Sequence, residues 1–283
     1  AERGIAPGRL AEYGLADHVA LIDREPIRGP MVAGAWPLAL LRVPCPGYRR
    51  TSRVSPPDPG YDAQRELMLR EHLRRRGIRD PRVLEAMQRV PREQFVPADA
   101  TDQAYADRAL PIDCEQTISQ PYIVALMTEL LDLRGMEKVL EVGTGSGYQT
   151  AMLCVLAAEV VSIERHADLS QQARRKLDAL GCSNAKLHVG DGTLGCPGEA
   201  PFDRVIVTAA AERVPPSLFS QLAEEGIMVI PVGGRAQQVL QAIRKRNGQA
   251  HVEHAVPCRF VPLVGSEGWP EPPGPDEPGE QEA

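Results

Sequence analysis

Glu141-Val-Gly-Thr-Gly-Ser-Gly147 sets three glycines at alternate positions between an apolar run and a helix-forming stretch. Glycine there lets the backbone turn sharply and come close to a bound molecule. Twenty-one residues past Gly143 an apolar run ends in Glu164. A carboxylate at that point can accept hydrogen bonds from both ribose hydroxyls of an adenosyl group. Asp191-Gly192 follows the next apolar run. Its acid can accept from an adenine amino group, and Asp-Gly is equally a common turn pair. Upstream, Thr117-Ile-Ser-Gln-Pro-Tyr122 leads into an apolar helix. The unpaired N–H groups and positive dipole end of such a start favour an anion, and the hydroxyls of Thr117 and Ser119 add to it. Ser119 or Gln120 is placed near the cap of that helix, and from the residues alone a plain cap is the favoured reading of Ser119. No His is placed to act as a base beside these residues; His188 falls on a strand, as a packed or edge residue.

Hydrophobic periodicity supplies the elements that must carry these groups. Val139 to Val142 reads as a parallel strand buried on both faces, and Tyr148 to Ala158 as a helix. Glu159 to Glu164, Ala185 to Gly190 and Phe202 to Thr208 are the next strands, with a helix over Ala167 to Leu180 stopped by Gly181. The small residues Ala209 to Ala211 leave room for a ligand at a strand end. A helix begins at Pro215 or Pro216, runs through Leu222 and is stopped by Gly226. Ile227 to Val232 is the fifth strand, and Gln238 to Arg246 pairs with Gln249 to Val256 about Asn247-Gly248 as a hairpin. Ahead of all this, a helix from Asp62 carries the stripe Leu67, Leu69, Leu73 and Ile78, with Arg70, Arg74, Arg75 and Arg76 on a solvated face. A second helix opens with Asp80 as cap and Pro81 as first residue, and buries Val83, Leu84, Met87 and Val90. The sum is a doubly wound, Rossmann-like α/β sheet with N-terminal helices and a C-terminal antiparallel hairpin.

Composition bounds the partners. The net charge of -6 argues against a general nucleic-acid binder. The six cysteines are scattered without a C-x-x-C pair or a His/Cys cluster, so no metal is expected and reduced thiols in the cytoplasm are. Met31 to Leu41 is apolar, but it spans only eleven residues and is broken by Pro37, too short for a bilayer; neither membrane nor export is expected. Residues 1–60, rich in proline, read as an irregular extension. Residues 61–264 form the α/β domain, and the acidic, proline-rich residues 265–283 a disordered tail.

The spacing E-x-G-x-G-x-G, with Tyr148 where the dinucleotide fingerprint wants its third glycine, resembles the nucleotide loop of S-adenosylmethionine-dependent methyltransferases. From about Asp62 to Val264 the chain resembles the protein-L-isoaspartate (D-aspartate) O-methyltransferase family. The segments that carry the likeness are Val90-Pro-Arg-Glu-Gln-Phe-Val96, Ala109-Leu-Pro-Ile112, Gln116 to Tyr122, Leu140 to Thr150, Gly190-Asp-Gly192, Phe202 to Ala210 and Arg259-Phe-Val-Pro-Leu263.

The resemblance implies a class I methyltransferase sheet and a repair reaction. The methyl group of S-adenosylmethionine moves to the α-carboxylate of an L-isoaspartyl residue, with D-aspartyl a further substrate. The ester then cyclises to a succinimide, and hydrolysis restores some normal aspartate. The implied partners are damaged proteins and peptides, met by a monomer. The family's active-site serine falls on Ser119, with Thr117 beside it. The implied cofactor set is Glu141, Gly143, Thr144, Gly145, Ser146, Gly147, Glu164, Asp191 and Gly192. The implied substrate lining is Ile118, Gln120, Pro121, Thr208, Ala209, Ala210, Val261 and Leu263. The family's glycine-rich approach to the serine is replaced by Asp113-Cys114-Glu115. That change keeps two alternatives in view, a non-catalytic cofactor-binding module and a methyltransferase for another nucleophile. If the approach needs positive φ, its acids should force another course.

Overall fold

A computed structural model describes residues 59–271. The N-terminal extension up to residue 58 and the tail beyond Glu271 lie outside the described residues.

Helix α1 (Asp62–Leu67) runs into a wide π turn over Met68–Leu73 and a tight turn over Arg74–Arg76. Two residues apart on a helix, Leu67 and Leu69 face opposite sides, so only one of them can join the stripe. Met68, Leu69, Leu73 and Ile78 are buried, whereas Leu67, expected inside, is 46% exposed. Helix α2 (Pro81–Arg89) starts as its sequence dictates: the Asp80 carboxylate accepts from the Arg82 N–H, and Pro81 fills the first turn. Strands β1 (Leu110–Pro111) and β2 (Thr117–Ile118) form a short antiparallel pair leading to helix α3 (Pro121–Leu130).

The central sheet contains β3 (Lys138–Val142), β4 (Glu159–Glu164), β5 (Ala185–Val189), β6 (Phe202–Val207), β7 (Leu222–Gly233), β8 (Gln238–Arg246) and β9 (Gln249–Cys258). Its order is β5-β4-β3-β6-β7-β8-β9. β3 to β7 pair in parallel, and β8 and β9 complete an antiparallel edge. Helices α4 (Tyr148–Leu156), α5 (Ala167–Ala179) and α6 (Pro216–Gln221) connect the parallel strands. One boundary departs from expectation. Leu222 already pairs with Phe202, so β7 begins there and Gly226 lies within the strand rather than after a helix. His188 stands on β5, the outer strand on that side, and is an edge residue.

Apolar side chains fill both faces of the sheet. Leu140, Val142, Val161 and Val205 belong to one core. Val139, Val160 and Ile206 face the other, where α2, α3 and α4 pack. The strand order reverses between β3 and β4 on one side and β6 on the other. A doubly wound sheet binds ligands at such a point, outside the strands' carboxyl ends. Among the described residues no helix is long and apolar enough to cross a membrane.

Candidate active site

The turn from β3 into α4 is built by three left-handed glycines, Gly143 (φ 95°), Gly145 (φ 53°) and Gly147 (φ 89°). Gly147 is the N-cap of α4, so the helix's free N–H groups open onto the turn. Thr208, just past β6, clasps the turn from the adjoining strand end: its hydroxyl lies 2.7 Å from the Gly143 carbonyl and 3.1 Å from that of Val142. A side chain at Gly145 would meet only Ile112 at 3.8 Å, so this part of the loop is open to a ligand.

Glu164 ends β4 beside that loop. One carboxylate oxygen accepts from the Gly145 N–H at 2.8 Å and the other from the His166 N–H at 3.0 Å. Each oxygen keeps a lone pair for a further donor. Left-handed glycines and a fixed carboxylate suit the methionine and ribose portions of S-adenosylmethionine.

These groups line one wall of a cavity of about 430 Å³. The opposite wall is the segment Cys114 to Ser119. Gln120, not Ser119, is the N-cap of α3, and neither makes a side-chain capping bond. The reading of Ser119 as a plain cap is therefore set aside. The hydroxyls of Thr117 and Ser119 bond no protein group among the described residues. Thr144, Ser146, Gly192, Ala209, Val261 and Leu263 also reach the cavity, as does Ile118. Val261 and Leu263 are held there by the Ala210 N–H to Val261 carbonyl bond, 2.8 Å, and the Leu263 N–H to Ala210 carbonyl bond, 2.7 Å.

Other residues of the implied set lie outside this lining. Glu141 is fully buried beneath the glycine loop. Its Oε2 accepts from the hydroxyls of Thr150 and Ser162 at 2.6 and 2.7 Å. Burial pushes its carboxyl up to about 8, and Oε1 has no hydrogen-bond partner. Ser162 gives its proton to Glu141, so Thr144, 2.6 Å away, donates to Ser162. Glu141 thus supports the loop from below. Gly147 and Pro121 serve as helix starts, while Gln120 donates to the Asp107 carbonyl at 2.8 Å. Ala210 is wholly buried.

Asp191 is engaged by the chain's own C-terminal segment. It accepts from the Thr193 N–H and hydroxyl and, at 2.7 Å, from the Ser266 N–H. Burial opposes ionisation, but these bonds prevail and hold the carboxyl below its usual range. Gly265 to Glu271, which composition assigns to the tail, crosses here. Trp269 donates to the Ala210 carbonyl, Glu267 accepts from Ser217, and Glu271 meets Arg165.

The approach to Ser119 also differs from expectation. Cys114 (φ 57°) and Glu115 (φ 56°) adopt left-handed backbone without glycine, closed by the Ile112 N–H to Gln116 carbonyl bond at 2.9 Å. The left-handed turn is thus present with a carboxylate on it. Cys114 is exposed at the mouth; the little burial it has, followed by the nearby charges of Asp168, Asp113 and Glu164, raises its thiol. Arg165, His166 and Glu271 line the same mouth; contrary to the expectation that no histidine stands beside these residues, His166 directly follows Arg165 and lines the wall with Glu164.

Comparison with known proteins agrees with this geometry. The family model described as protein-L-isoaspartate(D-aspartate) O-methyltransferase matches residues 63–268. The protein-L-isoaspartate O-methyltransferase of Dictyoglomus turgidum is 54% identical over 211 residues, covering 75% of this chain and 96% of its own length. That of Trichlorobacter lovleyi is 53% identical over 210 residues, covering 74% and 97%. Among solved structures, a Plasmodium falciparum protein of the same family, in complex with S-adenosyl-L-homocysteine, superposes with a TM-score of 0.61 at 29% identity. It covers 71% of this chain and 98% of its own. Another protein-L-isoaspartate O-methyltransferase superposes with a TM-score of 0.66 at 29% identity, covering 72% and 67%.

Proposed function

This chain belongs to the protein-L-isoaspartate(D-aspartate) O-methyltransferase family, and we propose how its residues divide that family's work. It is an S-adenosylmethionine-dependent enzyme that methylates the α-carboxylate of L-isoaspartyl residues in damaged proteins. One observation carries the assignment of roles: the hydroxyls of Thr117 and Ser119, unengaged among the described residues, share a cavity with the glycine loop and Glu164.

S-adenosylmethionine, when bound, supplies a methyl group on a positively charged sulfur. Gly143 to Gly147 would hold its methionine portion and Glu164 its ribose. Asp191 is assigned to the adenine amino group; it lies just behind Gly192, which lines the cavity, and its carboxylate is held by Thr193 and Ser266. The acceptor carboxylate, with an ordinary pKa of about 3.9, is already ionised at neutral pH and needs no general base. What the protein must provide is alignment and removal of water. Ser119 and Thr117 donate to the acceptor carboxylate and turn one oxygen toward the methyl. Val261 and Leu263, docked on Ala210, line the peptide's course, with Thr208 and Ala209 at the adjoining strand end. D-aspartyl residues are a further substrate, and the protein works as a cytoplasmic monomer; the free thiols at 114, 154, 182, 196 and 258 suit a reducing compartment.

The test is transfer of a radiolabelled methyl group to an isoaspartyl peptide beside its normal aspartyl twin. Labelling of the isoaspartyl peptide alone is expected. Equal labelling of both, or of neither, refutes the assignment.

A further inference from the structure

Arg92 belongs to the Val90–Val96 segment, to which nothing above gives a role. It is the largest wholly buried side chain of the described residues. Burial lowers its guanidinium to about 10, so it remains a cation at neutral pH. Among the described residues no carboxylate lies within ion-pair distance of it, and its Nη1 has no hydrogen-bond partner. A buried cation without a carboxylate is costly, and an apolar side chain of similar size often serves a core as well. Packing alone does not account for it.

Its bonds suggest what does. Nε donates to the Ala104 carbonyl at 2.7 Å, and Nη2 to the Ser119 carbonyl at 2.8 Å. The guanidinium carbon lies 4.9 Å from the ring centre of Tyr148, the first residue of α4 after the glycine loop. Tyr148 itself lines the cavity. One side chain therefore spans the acceptor segment and the start of the cofactor helix. Holding the Ser119 carbonyl fixes the peptide plane between Ser119 and Gln120. That plane sets the Ser119 backbone, and with it the direction of a hydroxyl that bonds no other group among the described residues.

We propose that Arg92 is a positioning residue for methyl transfer: through the Ser119 carbonyl it aims the Ser119 hydroxyl at the acceptor carboxylate. The proposal rests on the role given to Ser119 above. Arg92 does not line the cavity; it acts on the acceptor wall through the Ser119 carbonyl.

A double-mutant cycle tests it. Arg92→Met and Ser119→Ala are made singly and together, and kcat/KM for an isoaspartyl peptide is measured with S-adenosylhomocysteine affinity by calorimetry. Arg92→Met should lower kcat/KM about 10²-fold, the scale of a misplacement near 1 Å, with S-adenosylhomocysteine affinity within about twofold of wild type. In the Ser119→Ala background the same change should cost less than about threefold, because two residues acting through one group are not additive. Full activity of Arg92→Met, an equal loss in both backgrounds, or a parallel loss of S-adenosylhomocysteine affinity would each overturn the proposal. Should Arg92→Met not fold, Arg92→Lys, which keeps the charge but not both bonds, enters the same cycle with the same criteria. A wild-type protein that labels no isoaspartyl peptide would sink the function and this role together. An active wild type with an indifferent Arg92 sinks the role alone.

Discussion

Replacing Glu141 by Gln should flatten the pH dependence of stability. Glu141 is wholly buried under the glycine loop, its Oε2 accepting from Thr150 and Ser162. Burial raises its carboxyl from 4.5 to about 8. Between those limits the folded protein keeps a proton that the unfolded chain has released. The folded state then binds more protons, so stability falls as pH rises through the window; the loss is absent below 4.5 and complete above 8. At about 1.36 kcal/mol per pH unit, a rise from pH 5 to pH 7.5 removes about 3 kcal/mol. The amide of the Glu141→Gln variant would keep the oxygen acceptor for both hydroxyls and would not titrate. Urea unfolding of both proteins at intervals from pH 5 to pH 8.5 measures the effect. The stability of wild type relative to Glu141→Gln should fall by about 3 kcal/mol by pH 7.5. Parallel curves would refute the reasoning, because they would mean that the buried carboxyl exchanges no proton in this range.

Ser119→Ala should reduce kcat for an isoaspartyl peptide about 10²-fold while S-adenosylhomocysteine affinity, read by calorimetry, stays near wild type. Gly147→Ala would put a Cβ 3.1 Å from that of Ala173 at a φ of 89°. It should cost about 1–2 kcal/mol in urea unfolding and weaken S-adenosylhomocysteine binding with it. Glu115→Gly relieves left-handed backbone at φ 56° and should raise stability by about 1 kcal/mol. It also removes a carboxylate from the cavity wall, so KM for peptides with acidic flanking residues should fall more than KM for those with basic ones.

Much of the scaffold was legible because local chemistry and tertiary need coincide. Asp80-Pro81 opens a helix wherever it stands, and Glu159–Glu164 is a strand at both its expected ends. Gly143, Gly145 and Gly147 advertise their conformation directly. What escaped depends on distant partners. Leu222 is drawn into β7 by Phe202, twenty residues earlier, against the helical pattern around it. The π turn over Met68–Leu73 leaves no mark in periodicity. Gly265 to Glu271 has the composition of a tail and is held by Asp191, Ala210 and Ser217, each at least fifty residues away in sequence. At the site, a motif glutamate can face the cofactor or the core equally well. Only the hydroxyls of Thr150 and Ser162 decide that Glu141 turns inward.

The reversal of strand order beside β3 also governs how the molecule can assemble. Val139 pairs with Arg204, 65 positions further on, a closure that costs about 4 kcal/mol of chain entropy before any contact forms. β8 and β9 meet across a two-residue turn at Asn247-Gly248, and β7 lies directly against β8. The antiparallel half can therefore nucleate from neighbouring chain, while the β3–β6 junction is a non-local pairing. Thr208 reaches the glycine loop only across that junction. The methyl donor's seat is therefore closed by a strand end whose partner in the sheet stands 65 positions earlier in the chain.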